Sequence, residues 1–245
     1  MAFQYGYRRA IAAIVLALFS AAGYQAAAQD RSGTEQNSAK TLGVVLYPGF
    51  EVLDVFGPVE MFISVGAERL RVIMIAEEAG PVASGTMSDK AGNWSGPKVV
   101  ADYGFADAPH VDILMIPGGA GTIKQLTNTA CHEFLKQRSD AAELVLSVCS
   151  GSAILAKAGI LDGHKATCNK EFYSLLISNG PKVEWQSKAR WVEDGKFVTS
   201  SGVSAGIDMA LAVIARVYGE QTADGIAKGT EYTWSKDPAN DPFAK

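Results

Sequence analysis

Cysteine and histidine are scarce in this chain, three of each in 245 residues, and that scarcity excludes several kinds of protein. A disulfide-stapled scaffold is excluded, because small secreted domains of that kind are dense in cysteine. The odd count leaves at least one free thiol among Cys131, Cys149 and Cys168, with a Cys131–Cys168 bridge left open. His110, His132 and His164 stand at no metal-ligand spacing to one another or to the cysteines, so no metal and no other cofactor is expected. Clusters of lysine and arginine are missing, and the formal net charge is −4, which argues against a nucleic-acid partner. The chain also lacks the Lys-Ser/Thr of a phosphate loop and the Gly-x-Gly-x-x-Gly of a dinucleotide fold, so nucleotide binding has no support. No second long apolar run follows Gly23.

The first apolar run has the grammar of a leader. Arg8-Arg9 supplies a positive start, Ala10 to Gly23 is too short to span a bilayer comfortably, and Ala26-Ala27-Ala28 offers small residues for cleavage. Residues 1–28 therefore read as a signal peptide and 29–40 as a polar linker. The protein is expected to be exported, periplasmic or secreted, with no membrane segment once the leader is gone. Cleavage removes two of the 22 bases and none of the 26 acids, and leaves 217 of the 245 residues. That length suits one α/β domain over 41–245, C-terminal tail included.

Within the domain, apolar strand patterns alternate with helical ones, which predicts a mainly parallel sheet. Strands are expected at Thr41–Tyr47, Leu70–Ala76, Val111–Ile116, Leu144–Val148, His164–Thr167, Val183–Trp185, Arg190–Glu193 and Phe197–Ser200. Gly80 to Ala101 reads as hairpin material around a surface loop, Asp89–Gly96, that carries Trp94. Pro58 is expected to open a helix running to Val65. Further helices are expected over Thr122–Ser139, Ser150–Ala158, Lys170–Asn179, Ile207–Tyr218 and Gln221–Lys228. Asp194-Gly195 signals a two-residue hairpin.

One junction organises the rest. The strand pattern ending in Ser147-Val148 stops at Cys149, and Ser150-Gly151-Ser152 leads into an alanine- and leucine-rich helix. A sharp strand–turn–helix corner of this kind presents a nucleophile. The helix N-terminus favours an anion there, and such a thiol can fall from about 8.5 to roughly 3.5–7.5. Two other loops should reach the same sheet edge. Asp54, an acid in an apolar Val-Leu-Asp-Val-Phe segment, would hold a proton near neutrality if desolvated. Gly118-Gly119-Ala120-Gly121 offers backbone N–H groups to a developing oxyanion. Ser150 adds its own N–H and a hydroxyl. No histidine follows Cys149 in a position to serve a leaving amine, so proteolysis is disfavoured.

These residues carry a family likeness. Tyr-Pro-Gly-Phe-Glu-Val-Leu-Asp-Val-Phe-Gly-Pro at 47–58, Ile-Pro-Gly-Gly at 116–119 and Ser-Val-Cys-Ser-Gly-Ser at 147–152 resemble the ThiJ/PfpI superfamily. So do Ala-Gly-Ile-Leu-Asp-Gly-His-Lys-Ala-Thr at 158–167 and Gly-Val-Ser-Ala-Gly-Ile-Asp-Met-Ala-Leu at 202–211. The branch they most resemble holds isonitrile hydratases and the ligand-binding halves of AraC-type regulators. The resemblance implies a class I glutamine amidotransferase-like fold, a three-layer, flavodoxin-like α/β sandwich with Cys149 at the elbow. It also implies a homodimer, for which the helix face around Val55, Phe56, Met61 and Phe62 is a candidate.

The resemblance implies Cys149 as nucleophile, Asp54 as the acid beside it, Ser150 as the hydroxyl, and Gly119 with the Ser150 backbone as oxyanion donors. Gly118, Asn169 and Gly202 would line a pocket for a small-molecule substrate. Asn169 departs from the pattern, since the family commonly has histidine there. The activity implied is hydration of an isonitrile to an N-formamide through a thioimidate on Cys149, with the substrate nitrogen taking a proton from Asp54. A non-catalytic binding or thiol redox-sensing protein is the alternative, as are other family chemistries, aldehyde hydration or deglycation.

Overall fold

The computed structural model describes residues 39–245; the expected signal peptide and most of the expected linker lie outside them. Strand β1 (Lys40–Val45) is followed by α1 (Val52–Ile63) and β2 (Leu70–Ala76). A hairpin, β3 (Gly80–Ala83) and β4 (Lys98–Ala101), and the short β5 (Tyr103–Gly104) come next. Then follow β6 (Ile113–Ile116), α2 (Thr122–Gln125), α3 (Thr129–Ala141), β7 (Leu144–Ser147) and α4 (Gly151–Lys157). The remainder is β8 (Lys165–Ala166), α5 (Tyr173–Ile177), β9 (Glu184–Trp185), β10 (Trp191–Asp194), β11 (Phe197–Ser200), α6 (Ala205–Tyr218) and α7 (Glu220–Gly229).

Seven strands form the main sheet in the order β10-β11-β7-β6-β1-β2-β5. Only β10 runs antiparallel to its neighbour; the other pairs are parallel. The chain leaves β1 towards β2 on one side and returns to β6 and β7 on the other. Right-handed crossovers in opposite directions put α1 and α3 on opposite faces, giving the three layers. Leu42, Val44, Leu114, Ile116, Val145 and Leu146 are buried between them. The reversal also opens a crevice at the carboxyl ends of β1 and β6, where ligands bind in such sheets.

Several element boundaries differ from the sequence reading. Helix α1 begins at Val52, and Pro58 lies inside it. Proline has no N–H for the carbonyl four residues back, which here belongs to Asp54. The apolar face of the helix outweighs that lost bond, because Val55, Val59 and Phe62 are buried one above another. That periodicity also corrects the expected dimer face. Val55, Met61 and Phe62 are core residues, and the exposed stripe is Leu53, Phe56 and Ile63. The long helix expected over Thr122–Ser139 is two helices, because Asn128 caps a new start by accepting from the Cys131 N–H. The last hairpin turns on Gly195-Lys196, with Asp194 paired to Phe197. All three cysteines are unbridged and buried. Among the described residues no helix is long and apolar enough to cross a membrane.

Candidate active site

Cys149 sits on the corner between β7 and α4 with φ +59°, left-handed backbone that costs a side-chain-bearing residue about 1–2 kcal/mol. The surroundings over-determine it. Its N–H donates to the Ser201 carbonyl at 2.8 Å, and its carbonyl accepts from Asn169 N at 3.3 Å and Ser152 Oγ at 3.2 Å. The thiol is touched by Asn169, whose Nδ2 donates to Sγ at 3.2 Å. The Asn169 amide cannot be turned round, because its Oδ1 accepts from the Phe172 N–H at 3.0 Å. Gly202 borders the same amide, with Nδ2 3.5 Å from where a β-carbon would stand.

Asp54 projects from the first turn of α1 and is completely buried. Oδ2 accepts from Gly118 N at 2.8 Å, while Oδ1 completes no hydrogen bond of ordinary geometry. Burial raises the carboxyl from 3.8 to about 8; the Gly118 N–H opposes this, Glu51 adds to it, and the neighbouring Cys149 opposes it in part. Asp54 is therefore an acid at neutral pH. Gly118 is where Asp54 and Ser150 converge, since a β-carbon there would lie 2.5 Å from Ser150 Oγ and 2.9 Å from Asp54 Oδ2.

The thiol departs from the sequence reading. Burial first, and then the Asp54 carboxylate, push Cys149 well above its ordinary range, against the Asn169 amide and the Ser150 N–H. The favourable end of a seven-residue helix is worth about 0.3–1 kcal/mol, whereas full burial shifts a group by up to roughly 3–5 units. Burial wins, and the resting residue is a thiol. Once Asp54 carries its proton, however, the carboxylate's share of the upward push is gone. Cys131 and Cys168, each pushed up to about 12 mainly by burial, have no comparable set of donors.

Ser150 Oγ belongs to a chain of hydroxyls that the sequence did not reveal. Tyr47 Oη donates to the Pro117 carbonyl at 2.7 Å and lies 3.1 Å from Thr122 Oγ1, which lies 2.8 Å from Ser150 Oγ. Tyr47 has one proton and the carbonyl takes it, so Thr122 must donate to Tyr47 and Ser150 to Thr122. Ser150 Oγ then faces the site as an acceptor, with one lone pair already taken by Gly119 N at 3.1 Å. Gly119, expected with the Ser150 N–H as an oxyanion donor, is thus engaged by Ser150 Oγ, and Gly118 of the same loop by Asp54. Gly119 adopts φ +132°, and a β-carbon there would collide with the Gly49 carbonyl. The one signal that could have exposed this chain is Thr122, the first polar side chain after the glycine loop.

The structure thus brings Cys149, Asp54, Ser150, Gly118, Gly119, Asn169 and Gly202 to one edge of the sheet. Among the described residues no group of three or more histidine, cysteine or acidic side chains is placed to hold a metal. The arrangement can deliver and recover a proton beside a sulfur nucleophile.

Comparison with known proteins agrees with this geometry. Residues 40–216 match the DJ-1/PfpI family. Isonitrile hydratase from Pseudomonas putida is 31% identical over 194 residues, 79% of each chain. The HTH-type transcriptional regulator GbdR from Pseudomonas aeruginosa is 30% identical over 133 residues, 54% of this chain and 36% of the regulator. The crystal structure of a ThiJ/PfpI family protein from Pseudomonas syringae superposes with a TM-score of 0.70 at 28% identity, covering 86% of this chain and 84% of that one. A buried, mainly parallel sheet with a cysteine on its strained corner, matched over most of its length, makes this chain a member of the DJ-1/PfpI family.

Proposed function

We propose that the protein hydrates an isonitrile to an N-formamide at Cys149. The observation that carries the reading is the buried, proton-bearing Asp54 carboxyl set beside a cysteine on the elbow, and the likeness to isonitrile hydratase supports it. An isonitrile, R–NC, has its lone pair on the terminal carbon, so the Asp54 proton goes to carbon rather than to nitrogen. Sγ bonds the same carbon, and the thiol proton passes to the carboxylate just formed. The result is the thioimidate R–N=CH–S, with Asp54 an acid again. Water accepted by Ser150 Oγ adds to that carbon while Asp54 protonates nitrogen and takes the water's proton. Breaking the C–S bond, with the hydroxyl proton returned to sulfur, releases R–NH–CHO and restores the thiol.

The test is N-formamide formation by the purified protein from a panel of alkyl and aryl isonitriles, with α-oxoaldehydes and glycated amines as separate arms. Turnover of an aldehyde alone would replace the reading with another chemistry of the same thiol. No turnover in any arm, with Cys149 still titratable, would favour a binding protein. The redox-sensing alternative is the weaker one, because oxidation follows thiolate character and exposure and Cys149 is only 7% exposed.

The hydroxyl chain bears on the hydration step. Thr122→Val should lower turnover about tenfold, the effect of misdirecting one buried hydrogen bond, while the alkylation rate of Cys149 stays the same. Unchanged turnover would remove Thr122 and Tyr47 from the mechanism. We also propose a homodimer through Leu53, Phe56 and Ile63. Leu53→Glu with Phe56→Glu should shift the sedimentation coefficient to that of a monomer at micromolar concentration, and a wild-type monomer under the same conditions would end that proposal.

A further inference from the structure

Beyond the hydroxyl chain, a second network of buried polar groups lies under the C-terminal tail. After α7 the chain crosses back over the β10–β11 edge. Pro238 O accepts from Arg190 N at 2.8 Å, and Asp241 N donates to the Lys188 carbonyl at 2.8 Å. The crossing is anchored by a buried ionic cluster. Arg190 Nε donates to Asp208 Oδ2 at 2.7 Å, with Nη2 on the same oxygen. Asp208 Oδ1 accepts from Tyr232 Oη at 3.2 Å and Ser235 N at 2.9 Å, both tail residues. Arg190 Nη1 is 4.0 Å from Asp241 Oδ1, which also accepts from the Phe243 N–H at 2.9 Å. Lys170, 6% exposed, donates to Thr167 Oγ1 at 2.6 Å, has the Tyr173 ring under its ammonium and feels the Asp241 charge. Two carboxylates and two cations thus share one interior, a balance that buried charges require.

The cluster meets the elbow at two points. Asp241 Oδ2 accepts from the Ser201 hydroxyl, and the Ser201 carbonyl is the acceptor for the Cys149 N–H. Ser201 N in turn donates to the Arg190 carbonyl at 2.8 Å. Lys170 directly follows Asn169, whose amide donates to Cys149 Sγ. The Ser201 segment that takes the Cys149 N–H is therefore tied to this carboxylate, and the Asn169 segment reaches the same interior through Lys170.

We infer that Asp241 is a positioning residue for Cys149, acting through Ser201, whose carbonyl fixes the strained Cys149 backbone and so sets the sulfur against the Asn169 amide. The inference rests on Cys149 being the reacting group and on no particular substrate. Without the carboxylate, Ser201 loses its hydroxyl partner, and the carbonyl that takes the Cys149 N–H loses the side-chain bond that holds it in place. A fixed donor to a developing thiolate acts only if donor and sulfur are already in register, so a Cys149 loosened from the Ser201 carbonyl sits less well against Asn169 and its sulfur is slower to react.

The experiment measures iodoacetamide alkylation of the Cys149 peptide by mass spectrometry against pH, in the intact chain and without substrate. Asp241→Asn keeps the shape and can still accept from Ser201, so it tests the charge; Asp241→Ala and Ser201→Ala remove the link. Thermal midpoints and circular dichroism accompany each variant. The expected result is alkylation at pH 7 about tenfold slower in the variants that break the link, the effect of one lost hydrogen bond to a charged group. The pH midpoint should move upward, and Asp241→Asn should fall between these variants and wild type. Rates within about twofold of wild type in a folded Ser201→Ala and a folded Asp241→Asn would overturn the inference. So would a slower rate that tracks the thermal midpoint alone, with no movement of the pH midpoint. Formamide assays are read separately, so a chain inert towards isonitriles can still show or lack this coupling.

Discussion

Cys149→Ala is expected to abolish formamide formation to the uncatalysed level and to remove the alkylated peptide, while the protein keeps its fold. In the proposed mechanism both steps run through the sulfur, since the first makes a C–S bond and the second breaks it. No other thiol can substitute, because neither Cys131 nor Cys168 has Asp54, Ser150 and Asn169 set around its sulfur. Alanine keeps a β-carbon in the φ +59° conformation and so keeps the strain. Cys149→Gly provides the contrast. Glycine relieves about 1–2 kcal/mol of that strain and gives back roughly 0.5–1 kcal/mol through a freer unfolded chain. The inactive glycine variant should therefore be at least as stable as the inactive alanine variant. Residual turnover in Cys149→Ala above the level of a buffer control would remove covalent catalysis from the proposal.

The corner itself was legible because the chemistry of its residues is local. An apolar β-branched strand that ends at cysteine and passes to Ser-Gly-Ser has few other conformations open to it, and the alternation of strands and helices specified the parallel sheet. Thr122–Ser139 could not be resolved in the same way. Its helical pattern is nearly continuous, and the break depends on one side chain, Asn128, bonding a backbone group. The direction of the Cys149 shift was misread for a different reason. The helix terminus is a sequence-local contribution, whereas burial depends on what distant elements such as α1 place around the sulfur. The tail was the least legible of all. Nothing in Asp241-Pro242-Phe243 discloses that its carboxylate reaches Ser201, 40 residues away along the chain.

Asp54→Asn should be inactive and more stable than the natural protein, with both effects set by one carboxyl group. General acid–base groups contribute about 10²–10⁴-fold; asparagine cannot pass a proton, so turnover should fall by that amount. In the natural protein, activity should decline as the pH rises through about 8, where Asp54 loses the proton it must deliver. The stability effect has a definite sign. The folded carboxyl holds its proton up to about 8, whereas the unfolded one releases it near 3.8. Between those values the folded state binds more protons, so the group's contribution is complete at low pH and is lost as the pH rises. The amide of the Asp54→Asn variant does not titrate and escapes that loss. The difference in unfolding free energy, variant minus natural, should grow from about pH 4 to about pH 8, reach on the order of 5 kcal/mol and then level off. A difference that stays flat across that range would mean that Asp54 titrates normally, and the proton donor of the proposed reaction would have to be sought elsewhere. A rising stability difference with undiminished turnover would leave the burial intact and remove Asp54 from the chemistry. The two measurements on one variant therefore separate the electrostatics of the site from its mechanism.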